Sequence, residues 1–438
     1  MREELLEQAR TAVTIAREVG ADDAVAGVSR GRALEFRWRD GKLEKVQEDT
    51  SRGLGISLYV DGRYSGHSTN DLDPGRLRNF LTDAVALTRH LEPDPYRKIT
   101  DPALYLGREE MDLELLDPAL KSLERDNRIA WCQALADNAS KHDSVVSASS
   151  GVMDSHGASA RVSSNGFEGY REAASVWYGA EVSVRDGETK RPEAYRWVGG
   201  SHLDGLPSPD ATGAEALRRV LVRLGAEKIP SLKTTMVVDP EAAGPLVGRI
   251  LGAMSAGAIQ QKRSFLSDSL GKTISSPLLS LTDQPFRKRA LGSRLWDSEG
   301  IASRERCLIK NGVLEMFFID TYYGRKLGWE PTTGSSSNVV FEHGSQDLVG
   351  ILEEVGEGIY VNSWLGGNAD MTTGDYSFGL RGHVIRNGAL AEPISEMNVT
   401  GNYVDLLQRL SMVGNDPVPW STFRAPTLAF DGIEFSGL

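Results

Sequence analysis

Residues able to do chemistry are spread thinly along this 438-residue chain. A metal site needs several His, Cys or carboxylate ligands converging on one point. The histidines are His67, His90, His142, His156, His202, His343 and His383, and no two lie within a helical turn of each other. Cys132 and Cys307 have neither metal nor redox spacing. Cys132, in the run Ile129-Ala130-Trp131-Cys132, reads as a small core residue. No nucleophile elbow is expected, and Ser264 sits in a basic stretch without a neighbouring base. Two loops are more informative. Thr373-Gly374-Asp375-Tyr376-Ser377, beside a sheet edge, could pair with an extended peptide, the backbone giving affinity and the side chains orientation. Equally, Thr-Gly-Asp is good turn chemistry, with Asp375 capping the loop and Tyr376 packing. Pro331-Thr332-Thr333-Gly334-Ser335-Ser336-Ser337 suggests a phosphate cradle but lacks the Lys-Ser/Thr ending and helix start that a P-loop needs. It is expected to be a flexible rim loop. Trp329 and Trp364 are candidate rim or interface aromatics, with core packing the default.

Residues 239–266 carry a distinctive pattern. Asp239-Pro240-Glu241 is a strong helix start: a capping acid, proline at the first helical position and an acid in the first turn. Pro245 leaves open whether the regular helix begins only there. Gly244, Gly248, Gly252 and Ala256 recur at four-residue intervals on one face. Each helix glycine costs about 1 kcal/mol against alanine, so the stripe predicts another element packed almost against the backbone.

With Lys262-Arg263-Ser264-Phe265-Leu266 behind it, this segment resembles the central helix of the TldD/PmbA family, long labelled modulators of DNA gyrase and understood as a peptidase system. Three further stretches carry the resemblance. Residues 372–379 (TTGDYSFG) are similar to the TGDYSxG signature of PmbA-type members, residues 384–398 to their Asn-Gly hairpin, and residues 411–416 to their VGND. The likeness spans nearly the whole chain. It implies that catalytic TldD-type members carry HExxxH on this helix, acting at a metal, with a cysteine near position 413 as a further ligand. The matching positions here are Gly248, Arg249, Ala253 and Val413.

The chain therefore resembles the PmbA/TldE type, the partner subunit without its own metal. Zinc is then expected in a TldD-type protomer, where metal-activated water attacks the peptide carbonyl. This chain would supply a wall of the cleft and contacts to unfolded or extended peptides. A heterodimer is implied, with a homodimer when the partner is absent. The implied substrate residues are Arg249, Thr373, Gly374, Asp375, Tyr376 and Ser377, with no metal or cofactor in this chain. Arg249 has two readings: its guanidinium holds a peptide carboxylate or acidic side chain in the metal's place, or it forms a salt bridge at the exposed helix edge. Two other functions stay open, a self-sufficient hydrolase with dispersed residues and a peptide-binding or regulatory protein without hydrolysis.

Upstream, the Asx-Gly turns reveal a direct repeat. Asp40-Gly41 precedes Asp61-Gly62 by the same separation as Asn165-Gly166 precedes Asp186-Gly187. Each unit reads as strand, tight turn, strand, then an apolar strand ending in a second turn. A helix precedes each, at about residues 3–19 and 119–141, so duplication of a helix-plus-hairpin unit is the parsimonious reading. Residues 74–90 form another amphipathic helix, and a proline-rich crossing follows at 91–106. Residues 212–224 read as a helix opened by a Thr212/Glu215 capping box. A linker at 225–234 leads to hairpins at 306–317 and 383–390, a short helix at 402–412 and a closing strand at 427–435. The expected architecture is α+β: a duplicated helix-plus-antiparallel-hairpin region, then a mostly antiparallel β domain packed around the glycine-striped helix. The expected domains are residues 1–110, 111–228 and 229–438.

Bulk properties narrow the function. Forty-nine Lys and Arg against 61 Asp and Glu give a net charge of −12, which argues against a binder of phosphate backbones. The N-terminus, MREELLEQARTAV, is an amphipathic helix rather than a signal peptide. No apolar run reaches membrane-spanning length. The chain reads as cytoplasmic, with neither nucleic acid nor membrane as a partner.

Overall fold

Turn chemistry shapes the first half of the fold. The computed structural model, which describes residues 1–438, opens with α1 (Arg2–Glu18), β1 (Asp23–Arg39), β2 (Lys42–Val60) and β3 (Arg63–Thr69). Asp40 and Asp61 take φ of 46° and 49°, each followed by a glycine of positive φ, a two-residue turn that matches the twist of the flanking strands. α2 (Pro74–Thr88) follows, capped by Asp73, whose carboxylate accepts from the Gly75 and Arg76 amides. The second repeat comprises α3 (Pro118–Lys121), α4 (Arg125–Ala139), β4 (Val145–Ser163), β5 (Glu168–Val184), β6 (Glu193–Gly200) and α5 (Pro209–Leu221). All six strands form one antiparallel sheet, ordered β3-β2-β1-β4-β5-β6, with β1 against β4 at its centre. The repeats share this sheet, and two cores form on it, one with α1 and α2 and the other with α4 and α5. β1 and β4 contribute to both, through Ala158, Ala160 and Val162 in the first and Leu34 and Phe36 in the second.

Three elements here differ from the sequence reading. The two strands expected after the first turn are one, because β2 pairs with β1 without interruption through residues 50–53. The helix expected at 119–141 breaks before Arg125, where the Asn127 side chain accepts from the Glu124 amide at 3.0 Å and restarts it. The Thr212/Glu215 box does not form. Ser208 caps α5 through the Ala211 amide (3.2 Å), and Glu215 is taken by Arg218 and Arg219 at 2.7 and 2.9 Å.

β7 (Leu232–Val238) leads into the segment expected to be one helix. It is three: α6 (Pro240–Val247), α7 (Arg249–Ala253) and α8 (Ala256–Gln260). Asp239 caps the first through the Glu241 amide at 2.8 Å, and α6 runs on through Pro245. The second break is a tertiary effect. Ser255 is extended, and Phe318 bonds the Met254 carbonyl (2.9 Å) and the Ala256 amide (2.8 Å) on either side of it. The glycine stripe is not the close contact it suggests. Outside their own segment, Gly244 and Gly248 meet only Phe423, at 3.9 and 3.8 Å, and a Cβ on Gly252 would meet nothing within 4 Å. The close approach lies elsewhere: on α5, a Cβ at Gly213 would come 2.3 Å from the Leu135 carbonyl of α4.

The remaining elements are β8 (Leu281–Asp283), β9 (Arg306–Lys310), β10 (Val313–Leu314), α9 (Thr321–Leu327), β11 (Val339–Phe341), α10 (Leu348–Val355), β12 (Gly358–Ala369), β13 (Asp375–Arg386), β14 (Ala389–Asn402), α11 (Tyr403–Gln408), β15 (Leu410–Val413), β16 (Phe423–Arg424) and β17 (Leu428–Ser436). Asn311-Gly312 and Asn387-Gly388 make the two expected hairpin turns. The helix expected at 402–412 ends at Gln408, and residues 411–413 lie in β15, paired with β17. Two sheets result, β10-β9-β8-β11-β16 and β14-β13-β12-β7-β17-β15, and contact between β14 and β17 closes the second into a ring. The helices α6–α8 bury Leu246, Ile250 and Met254 in a continuous core with residues of both sheets. The fold class is α+β, with antiparallel pairing dominant.

Candidate functional site

Apolar spacing fixes how the α6–α7 segment sits. Leu246, Ile250 and Ala253 face the core, while Pro245, Arg249 and Gly252 point outward. Beneath the outward face lies a shelf of rings. Tyr376 stacks on Phe378 (5.3 Å between centroids), Tyr403 lies 5.3 Å from Tyr376, and Phe265 stacks on Tyr403 at 5.9 Å. The Arg249 guanidinium sits 5.2 Å over the Phe378 ring. No carboxylate comes within ion-pairing distance of it, so the edge salt bridge is replaced by a cation–π contact.

A zinc ion does not suit the groups present. Gly248, Arg249, Ala253 and Val413 offer no metal-donor atom, and no three His, Cys, Asp or Glu side chains gather into a metal-holding group. The Arg249 charge at this place would also repel a cation.

The Thr373–Ser377 stretch divides between turn and shelf. Gly374 takes a φ of 85°, donates its amide to the Asp370 carbonyl (2.7 Å), and leaves 3.2 Å between a would-be Cβ and Phe265. Asp375 accepts from Asn402 (3.0 Å) and Thr373 (2.8 Å), and these bonds hold its carboxyl below the ordinary range. Tyr376 enters the shelf, where burial lifts its phenol to about 12. Ser377 is exposed on β13. Arg249 and Tyr376 therefore meet through Phe378, whereas Thr373, Gly374 and Asp375 are tied up in the turn.

The other sequence candidates are structural. Thr333 and Ser337 are only 3% and 4% exposed, so residues 331–337 are not a free rim loop. Asp297 accepts from the Thr333 hydroxyl (3.0 Å) and the Gly334 amide (3.2 Å), and Asp283 accepts from the Ser337 amide (2.6 Å). The protein's own carboxylates fill the place of a phosphate. Ser264 is buried, donating to the Ala253 carbonyl at 2.5 Å. The chain does contain one G-x-S-x-G string, residues 27–31, which the sequence reading passed over. It runs inside β1, with Ser29 opposite Gly53 and Ser159, so it forms no strand-to-helix elbow. Trp329 stacks on Phe317 at 5.7 Å.

Sequence reasoning missed one feature entirely. A cleft of about 590 Å³ opens between the N-terminal sheet and the C-terminal domain. β6 and the end of α5 form one wall, and the start of α6 with residues 362–364 of β12 forms the other. Glu241 bridges the two, accepting from Arg219 (2.7 Å) and from Arg196. Beside it, Tyr360 donates to Asp239, and burial pushes the Asp239 carboxyl upward. Trp364 donates to the Ala242 carbonyl (2.9 Å) and lies 5.5 Å from Phe378, so it joins the cleft to the aromatic shelf. The arginines of the cleft come from separate elements, and only their density in residues 218–223 was visible in the sequence.

Residues 24–88, 118–224 and 231–437 match profiles described as PmbA/TldA metallopeptidase domain 1, central domain and C-terminal domain. The chain belongs to the PmbA/TldD metallopeptidase family. Within that PmbA/TldD family, Metalloprotease PmbA of Escherichia coli O157:H7 is 29% identical, covering 95% of this chain and 93% of that protein. A solved modulator of DNA gyrase from Bacteroides thetaiotaomicron is 38% identical with a TM-score of 0.96, covering 99% of this chain and 98% of the other. TldE from Thermococcus kodakarensis, at 19% identity, shares the fold with a TM-score of 0.87 over 98% and 100% of the two chains. TldD homologs match a little under half of the chain.

Proposed function

We propose that this chain is the non-catalytic PmbA/TldE-type subunit of a metallopeptidase, paired in a dimer with a TldD-type protomer that carries the zinc. The observation behind this reading is the α6–α7 segment. Where the resemblance puts the two histidine ligands and the glutamate base, it has Gly248, Ala253 and the Arg249 cation resting on Phe378. Catalysis then belongs to the partner, and this chain supplies a cleft wall, an aromatic shelf and basic side chains. Unfolded or extended peptides are the substrates that such a wall suits, with Arg249 and the exposed end of β13 nearest them. The cytoplasm is the compartment that goes with this reading. No helix is long and apolar enough to cross a membrane.

The test uses the purified chain alone and mixed with a TldD-type protein. Alone it should lack stoichiometric zinc and leave an unstructured peptide uncut. Mixed, it should elute as a one-to-one complex with chelator-sensitive cleavage. Stoichiometric zinc and partner-free cleavage would overturn the proposal in favour of a self-sufficient hydrolase. Peptide capture without cleavage in the mixture would favour a binding protein.

A further inference from the structure

Two guanidiniums in the interdomain cleft have no anion. Arg223, just after α5, donates to the Glu193 carbonyl (2.5 Å) and the Ser363 hydroxyl (3.4 Å), and its buried Nε has no partner. Arg381, on β13 directly opposite Ser363 of β12, lines the same cleft without a hydrogen-bond or ion-pair partner. The contrast with Arg196 and Arg219 is sharp, since both pair with Glu241 and Arg219 pairs with Glu215 as well. Glu181 and Glu193 also line the cleft, but neither carboxylate comes within ion-pairing distance of Arg223 or Arg381. Burial, then the charges of Arg381 and Arg219, push Arg223 down to about 10. An anion placed between the two heads would relieve that repulsion.

The surroundings limit which anion fits. β12 pairs with β7 only as far as Val361, so its edge at residues 362–364 is open to the cleft. An extended chain can lie against such an edge, where Arg223 bonds the Ser363 hydroxyl and Arg381 stands opposite Ser363 in the strand register. A guanidinium pairs with a carboxylate through two parallel bonds. The Ser363 hydroxyl, which donates to the Asn362 carbonyl oxygen, orients the Asn362 amide as a further donor and accepts from Arg223.

We propose that Arg223 and Arg381 form a carboxylate-binding site that takes the C-terminal carboxylate of an extended peptide. The anion site stands on the geometry; that its carboxylate belongs to a peptide rests on the function proposed above.

The test is calorimetric titration of the full chain, without any partner, using three probes: an unstructured peptide with a free C-terminal carboxylate, the same peptide amidated, and inorganic phosphate. The acid should bind at least tenfold more tightly than the amide. Arg381→Ala should lower acid binding to the amide level and leave amide binding unchanged. Arg381 makes no side-chain bond in the folded chain, so the thermal midpoint should hold, and Ser363→Ala should show a smaller loss. Equal binding of acid and amide would overturn the proposal, as would an Arg381→Ala variant that binds like the native chain. Phosphate competing as tightly as the peptide would mark an inorganic-anion site and also overturn it, and so would no binding of any probe. Cleavage is not measured, so failure to pair with a TldD-type protein leaves this result readable.

Discussion

At position 249, a charged side chain occupies the place where the family resemblance puts a catalytic glutamate, and its guanidinium rests on the Phe378 ring. A cation–π contact at an exposed site is worth about 0.5–1 kcal/mol. Arg249→Ala should therefore shift stability by no more than about 1 kcal/mol in urea unfolding. A much larger loss would mean that the shelf depends on the cation. If Arg249 contacts substrate, the same variant should weaken peptide capture by the complex. The cysteines give a second test at this scale. Cys132 is fully buried, with burial raising its thiol to about 12, whereas Cys307 is exposed. A thiol reagent at pH 8 should label one cysteine per folded chain and both in denaturant. Rapid labelling of two in the native state would contradict the packing. The burial of Cys132 was legible from its apolar neighbours. The ring beneath Arg249 was not, since Phe378 lies 129 positions away on another sheet element.

Among the elements, glycine spacing was the signal most open to misreading. Four-residue spacing placed Gly244, Gly248 and Gly252 on one face, but could not say what covers that face. The outward end of that face, at Gly252, is uncovered, and the tight helix crossing falls at Gly213 instead. Gly252→Ala should stabilise the chain by about 0.5–1 kcal/mol, because it removes backbone freedom without a clash. Gly213→Ala should destabilise it by about 1–3 kcal/mol, because α4 must move. Opposite signs in paired thermal melts are the check. α5 also carries an acid-sensitive anchor. Despite burial, which acts upward, Arg218 and Arg219 hold the Glu215 carboxyl down to about 2. Its folded value lies below the ordinary 4.5, so its stabilisation is present above pH 4.5 and fades as the pH falls toward 2. Urea midpoints between pH 2 and 6 should converge for the native chain and Glu215→Gln at the acid end; parallel curves would sink the assignment. The Asp239 cap and the Asx-Gly turns at 40–41, 61–62, 311–312 and 387–388 were read correctly, because their partners are local. The Thr212/Glu215 box was lost to Ser208 and to the arginines that take Glu215. The break at Ser255 was not legible either, because Phe318 makes it.

For the whole molecule, the decisive contact is the one between domains. Glu241, at the start of α6, is shared by Arg196 on β6 and Arg219 on α5, and its side chain is 28% exposed. Removing it leaves two guanidiniums facing each other. Glu241→Ala should cost more than the roughly 1 kcal/mol of a surface pair, and at most the roughly 3–5 kcal/mol of a fully buried one. Thermal unfolding should show either a lower midpoint or a separation into two steps. An unchanged single transition would mean that the bridge does not couple the domains.

The sequence by itself determined the α+β class, the duplicated hairpins and the Asp239 cap. These depend on local turn geometry, periodicity or residue type, all of which are written in short stretches. Only the tertiary structure decided that the repeats merge into one sheet, that the central helix is cut into three and that Thr333 and Ser337 are buried against Asp297 and Asp283. It alone brought Arg223 and Arg381, 158 positions apart, to the same cleft. Such sites form where sheet registers and domain packing bring distant side chains together, and no local pattern records that meeting.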